Sequence, residues 1–224
     1  MNTVSQSLQQ LRAQIQLAEI NYQRQPDSVL LLAVSKSKPA SALIKAYQAG
    51  QRHFGENYLQ EALNKQQALG AFDITWHYIG PIQSNKTKAI ASQFDWVHSV
   101  DKLKIAQRLS EQRPSHLAPL NICLQVNISA EPSKSGIQLA ELAELCEQIA
   151  ELPKLKLRGV MAIPAPSHSF AQQCQPYKTL YQAVKNLNKP ELDTFSFGMS
   201  DDLNAAIAEG STIVRIGTAL FGTR

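Results

Sequence analysis

Residues 31–39, LLAVSKSKP, frame the reading of the whole chain. Leu31, Leu32, Ala33, Val34 and Ser35 form a run that reads as a strand buried on both faces. The run ends abruptly in Lys36, Ser37, Lys38 and Pro39. A helical pattern, ALIKAYQAG (42–50), follows at once. This strand-then-helix unit recurs along the chain.

Seven further runs, each short and rich in β-branched, apolar or aromatic residues, read as strands: RHFG (52–55), ITWHYIG (74–80), DWVHSV (95–100), NICLQVNIS (121–129), LKLRGVMAI (155–163), TFSFG (194–198) and TIVRIG (212–217). Between them lie helical patterns such as YLQEALNKQQALG (58–70), DKLKIAQRLSEQ (101–112), LAELAELCEQIA (139–150), YKTLYQAVKNLN (177–188) and DLNAAIAEG (202–210). Gly50 and Gly70 fall at helix ends, and Asp101 is placed to open a helix. One extra helix, SLQQLRAQIQLAEINYQ (7–23), precedes the first strand. Strict βα alternation predicts a parallel sheet with right-handed crossovers. Eight such units predict an α/β fold of the closed (β/α)8, TIM-barrel type, with an extra N-terminal helix. An open doubly wound sheet is the rival on pattern alone. No Pro/Gly/Ser linker divides residues 1–224, so one domain is expected.

The bulk properties exclude several classes. The hydrophobic fraction of 44% supports a real core, and no compositional mark of disorder or collagen is present. A net charge of +4 suits an anionic small ligand better than nucleic acid. Residues 1–10, MNTVSQSLQQ, lack a basic and then apolar leader, and no apolar run is long enough to span a bilayer. Cys123, Cys146 and Cys174 are an odd number at irregular spacing, which predicts a reducing, cytoplasmic setting without disulfides or a zinc site. Cys123 and Cys146 read as small core hydrophobes.

In a barrel of this kind, ligands are handled at the carboxyl ends of the strands. FSFGMSDDLNAAIAEG sets Gly198, Met199 and Ser200 at a strand-to-helix turn, and VRIGTALFG sets Gly217 and Thr218 after the last strand, before one possible helical turn. Loops after strands seven and eight are the usual phosphate cradle of this fold. Against this, Ser200 could simply cap the next helix, and Asp201 and Asp202 suit a helix start better than a phosphate. Arg215, inside the apolar run TIVRIG, must face a polar ligand or be paired structurally. Lys36 could be an ordinary surface lysine. At a partly dehydrated barrel mouth, however, its neutral form is favoured, and a neutral amine can condense with an aldehyde. Lysine, phosphate cradle and arginine together suggest a phosphorylated aldehyde. Pyridoxal 5'-phosphate fits, and so does the substrate of a Schiff-base aldolase.

Seven segments in order, LLAVSKSKP, HFGENYLQEALNK, WHYIGPIQSNK, VHSVD, VNISAEPSKSGI, RGVMAIP and FSFGMSDDLNAAIAEGSTIVRIGTALFG, together resemble the pyridoxal-phosphate homeostasis proteins. The resemblance runs from about residue 8 to residue 222 and implies the barrel of the alanine racemase N-terminal domain. It implies that Lys36 forms an aldimine with pyridoxal 5'-phosphate. It also implies that Ser200, Gly217 and Thr218 hold the phosphate, that Arg215 faces the pyridine nitrogen, and that Asn57 lies near the ring. His77 and Lys134 receive no role from it, and His77 is expected to be a satisfied core histidine. A cation at the pyridine nitrogen weakens the ring as an electron sink. With the barrel pattern running to Arg224, a second domain to supply a racemase's other base or its usual dimer interface is not expected. The expectation is therefore a monomeric, cytoplasmic carrier that holds pyridoxal phosphate for vitamin B6 homeostasis and makes transient contact with apoenzymes, without efficient catalysis. A minimal amino-acid racemase is the alternative, and a sugar-phosphate aldolase is a more distant one.

Overall fold

The computed structural model describes residues 3–132 and 134–222; Met1, Asn2, Ser133, Thr223 and Arg224 lie outside the described residues. Eight strands run β1 (Leu30–Val34), β2 (His53–Glu56), β3 (Thr75–Tyr78), β4 (Trp96–Val100), β5 (Leu120–Val126), β6 (Leu155–Ala162), β7 (Thr194–Ser196) and β8 (Ile213–Ile216). Each pairs in parallel with the next, and β8 closes on β1 through Leu30 opposite Ile213 and Leu32 opposite Arg215. The ring is closed, so the predicted barrel holds and the open sheet does not.

The helices are α1 (Val4–Asn21), α2 (Ala40–Gln48), α3 (Leu59–Ala68), α4 (Thr87–Gln93), α5 (Leu103–Gln112), α6 (Leu142–Ala150), α7 (Phe170–Asn186), α8 (Leu203–Ala208) and α9 (Thr218–Phe221). They bury the outer face of the barrel: Leu43, Ala62, Ile90, Leu109 and Leu180 are all fully buried. Strands covered on both sides need apolar residues at successive positions, which is why LLLAV is continuous rather than alternating.

The extra helix α1 begins with a capping box in which Thr3 accepts from Gln6 N–H and Gln6 reaches back to Thr3 N–H. It packs Leu8, Leu11, Ile15 and Ala18 against α2, α8 and α9. Its buried Glu19 accepts from the backbone N–H groups of Asp27 and Val29, fixing the approach to β1.

Some boundaries differ from expectation. The helix placed at Asp101 starts at Leu103, with Lys102 at the cap position. α7 starts at Phe170, seven residues before the expected start at Tyr177, and carries Pro176 inside it. Asp202, and not Ser200, occupies the cap position of α8.

Candidate functional site

The carboxyl ends of β1, β2 and β8 lie side by side at one mouth of the barrel. Val34 is opposite Gly55, and Ser35 N–H donates to the Gly55 carbonyl at 2.9 Å, so the next residues, Lys36 and Asn57, leave adjacent strand ends. Lys36 is half-buried in the turn that follows β1. That turn is tightly held. Ser37 sits in the left-handed region (φ 60°), and its N–H donates to Glu61 Oε1 at 2.6 Å. Lys65 Nζ donates to the Ser35 carbonyl at 2.7 Å and to Glu56 Oε1 at 2.7 Å. Ser35 Oγ donates to the same Glu56 oxygen at 2.5 Å. Both neighbours of Lys36 are therefore pinned to a buried cluster of one ammonium and two carboxylates. Desolvation raises the Glu56 pKa, and the hydrogen bonds from Lys65 and Ser35 oppose the rise.

Asn57 lines a cavity of about 250 Å³ with Ile79, Pro81, Asn127, Lys134 and Ile163. Its side-chain carbonyl Oδ1 is buried without a hydrogen-bond partner. A buried acceptor left open at a barrel mouth is what a ligand donor satisfies. Gly80 packs against it so closely that an added Cβ would stand 2.1 Å from the Asn57 carbonyl oxygen. Lys134 pairs with Glu131 at 2.6 Å and donates to the Pro164 carbonyl at 3.2 Å, at the rim of the same cavity.

Gly198 follows β7 with φ 85°, and a Cβ there would meet Ala206 Cβ at 2.5 Å, so only glycine makes this turn. Ser200 follows, exposed. The two acids that argued against an anion here separate in the structure. Asp201 is exposed, whereas Asp202 turns inward, accepting from Met199 N–H at 2.6 Å and from the buried Tyr177 hydroxyl at 2.6 Å. Arg215 N–H donates to the Gly198 carbonyl at 3.0 Å, which ties this turn to β8. Gly217 lies against Val34, and the first turn of α9 leaves the N–H groups of Thr218 and Ala219 without intrahelical acceptors. Lys38 Nζ donates to the Gly222 carbonyl at 2.9 Å, joining the Lys36 turn to the end of α9.

Arg215 is buried, 5% exposed. Its guanidinium crosses the barrel interior to the last residues of β6 and β7, donating to the Ala162 carbonyl at 3.0 Å and to both oxygens of Ser196. Among the described residues no carboxylate lies within ion-pair distance of it. Desolvation pulls its pKa below the ordinary value, and Tyr177 and Asp202 act against that. Structural pairing thus comes from neutral acceptors, without a direct ion pair.

Lys36, Asn57 and Gly217 follow the ends of β1, β2 and β8, Arg215 on β8 reaches the ends of β6 and β7, and Ser200 and Thr218 lie just after β7 and β8. Two groups of polar residues escaped the sequence reading. One is Lys65 with Glu61, which in YLQEALNK reads as a solvated helix face. The other is a row of buried histidines, in which His77 is, as expected, a satisfied core residue. Cys123, Cys146 and Cys174 are buried and unpaired, and burial raises their thiols to about 12, 11 and 11 respectively. Among the described residues no group of three or more His, Cys, Asp or Glu is arranged to hold a metal, and no helix is long and apolar enough to cross a membrane.

Comparison with known proteins agrees with this fold. Residues 6–224 match the family described as alanine racemase, N-terminal domain. The pyridoxal phosphate homeostasis protein of Pseudomonas aeruginosa is 57% identical over 224 residues, covering 100% of this chain and 97% of that protein. That of Escherichia coli K12 is 53% identical over 229 residues, covering 100% and 98%. PipY of Synechococcus elongatus, solved without and with PLP bound, superposes with TM-scores of 0.88 and 0.86 at 38% identity, over 98% of this chain and 100% of PipY. Alanine racemase of Corynebacterium glutamicum, at 14% identity and a TM-score of 0.72, shares the fold. Matched over its whole length at such identity, the chain belongs to the family of pyridoxal phosphate homeostasis proteins, which lies within the alanine racemase N-terminal domain family.

Proposed function

We propose that this chain binds pyridoxal 5'-phosphate at the barrel mouth and serves in its intracellular homeostasis and supply, as the names of its relatives describe for them. What supports this reading is that a half-buried lysine, an open buried amide oxygen and a buried guanidinium without an ion pair belong to strand ends or strands at one face of the barrel. Bound there, the cofactor supplies an aldehyde. Lys36 would be the residue that holds it, its amine being the group able to condense reversibly with such an aldehyde. Ser200, Gly217 and Thr218 hold the phosphate dianion through hydroxyl and backbone N–H groups. Asn57 Oδ1 would accept a hydrogen bond from the ligand, and Arg215 would be the cation nearest its ring.

The last contact also supports binding over catalysis. A guanidinium beside the pyridine nitrogen would oppose its protonation, so the ring would withdraw electrons weakly and carbanion chemistry would be poorly served. A reversible imine on a rigid loop suits storage and release to apoenzymes in the cytoplasm. The visible absorption of the purified protein and of Lys36→Ala after addition of pyridoxal phosphate tests the reading. A Schiff-base band in the wild type alone supports Lys36 as the anchor; no band in either removes pyridoxal phosphate from the account. Exchange of the alanine α-proton in heavy water at near-stoichiometric protein separates carrier from racemase.

A further inference from the structure

Beneath the mouth, the barrel interior holds a continuous hydrogen-bonded row. Arg215 Nη1 donates to Ser196 Oγ at 3.0 Å. Ser196 Oγ lies 2.8 Å from His98 Nδ1, His98 Nε2 lies 2.9 Å from His77 Nδ1, and His77 Nε2 lies 3.0 Å from His53 Nδ1. The row crosses the interior, since His98 on β4 and Ser196 on β7 are not on neighbouring strands. His77, His98 and Ser196 are fully buried. His53 is half-buried at the other end and lines a cavity of about 450 Å³ at the amino-terminal face, beneath α1.

Arg215 fixes the direction of this row. A guanidinium can only donate, so it occupies a lone pair of Ser196 Oγ. Among the described residues the one acceptor within reach of the Ser196 hydroxyl proton is His98 Nδ1. If His98 Nδ1 carried the proton instead, the hydroxyl would be a buried donor with nowhere to donate, which is costly. His98 Nδ1 therefore accepts, and its proton sits on Nε2. The same logic passes along the row: His77 Nδ1 accepts and His77 Nε2 donates, then His53 Nδ1 accepts. Each neutral imidazole has one donor and one acceptor, so a single choice at Ser196 sets all three. Neutrality is consistent with the surroundings, since burial pulls His98 to about 3 and His77 well below its ordinary value.

We propose that Ser196, His98, His77 and His53 form a proton-ordered row that holds the Arg215 guanidinium in register with its ligand at the mouth, all three histidines being locked as the Nε2–H tautomer. They are positioning residues: each acts through the next. The proposal rests on the reading of Arg215 as the group that meets pyridoxal phosphate. It goes beyond that reading by assigning a role to four buried residues beneath the site. Ser196 carries the coupling, since it alone touches both the cation and the imidazoles.

Long-range ¹H–¹⁵N correlation spectra of the ligand-free protein report the tautomer of each histidine. The expected result is Nε2–H for His53, His77 and His98 at neutral pH. An Nδ1–H tautomer or an imidazolium at His98 or His77 overturns the proposal, whatever pyridoxal phosphate does. Ser196→Ala leaves Arg215 its two backbone carbonyl acceptors but removes the hydroxyl. It should release the histidines into mixed tautomers and weaken pyridoxal phosphate binding about tenfold, with Ser196→Thr restoring both. Unchanged tautomers and unchanged affinity in Ser196→Ala overturn the coupling, because a residue that only fills space would not set tautomers. A wild type that shows the expected tautomers but no visible band with pyridoxal phosphate overturns the ligand reading and confines the row to holding Arg215.

Discussion

The ammonium of Lys65 on α3 donates to the backbone carbonyl of Ser35 at 2.7 Å, reaching from a helix to the residue just before Lys36. The same ammonium holds Glu56 and Glu61, and Glu61 in turn holds Ser37 N–H. A lysine side chain with several free torsions is useful as a nucleophile only if its backbone does not wander. Here both flanking residues are fixed by one buried cation.

Lys65→Met should accordingly destabilise the fold by about 3–5 kcal/mol, because it strands Glu56 among buried groups. It should also weaken pyridoxal phosphate binding by freeing the Lys36 turn. Glu61→Gln, at a more exposed partner, should cost less than about 1 kcal/mol. Urea unfolding with a parallel cofactor titration separates the two effects. Equal stabilities for the two variants would remove the cluster from this role.

Tyr177 plays the corresponding part for the β7–α8 loop. Its hydroxyl donates to Asp202 Oδ2, whose other oxygen holds Met199 N–H, and its ring stacks on Phe197. Tyr177→Phe keeps the stacking and strands a carboxylate oxygen, a loss of about 1–3 kcal/mol. Phosphate-dependent affinity should fall with it. Binding of pyridoxal, which lacks the phosphate, should be much less affected, and a comparison of the two ligands decides the point.

The strands were legible because each is short, apolar and followed by a helical pattern, and LLAVSKSKP shows this most clearly. Arg215 stood out because a cation in TIVRIG conflicts with its neighbours. Other features depend on partners that one stretch of sequence does not contain. In YLQEALNK, Lys65 looks like any solvated helix lysine; its burial follows only when β1 and β2 bring Ser35 and Glu56 beneath it. His53, His77 and His98 lie on three strands, and their alignment needs the register of a closed ring. α4, with TKAIASQ, carries too few apolar positions to declare a period. The pattern YKTLYQAVKNLN covers only part of α7, which begins at Phe170 and carries Pro176 inside it, a residue that ordinarily breaks a helix.

Gly80 and Gly70 offer a controlled contrast. An alanine methyl at Gly80 would lie 2.1 Å from the Asn57 carbonyl oxygen, which is backbone and cannot rotate away. At Gly70 the nearest atom is 3.7 Å distant. Gly80→Ala should cost about 1–3 kcal/mol and displace Asn57, with a measurable loss of cofactor affinity. Gly70→Ala should leave affinity unchanged. Cofactor titration of both proteins tests this, and an unaffected Gly80→Ala would exclude Asn57 from the ligand's surroundings.

The buried histidines predict how stability varies with pH. His98 falls from 6.5 to about 3, chiefly through burial and then through the Arg215 charge, and His77 and His53 are lowered by burial as well. A lowered histidine pKa means that the unfolded chain binds more protons, so stability rises with pH. The contribution is fully present above the unfolded value of 6.5 and is lost progressively as pH falls toward 3. For His98 alone the full span corresponds to about 5 kcal/mol. Glu56 works in the opposite sense. Its pKa is raised above 4.5, so its contribution is present at low pH and lost as pH rises through the folded value. Three histidines against one such carboxyl should leave a net acid-labile fold. Urea midpoints measured from pH 7 to pH 4 should fall steadily, and the fall should be shallower in His98→Gln, which has no proton to gain. Parallel profiles for wild type and variant would mean that His98 already binds its proton in the folded state.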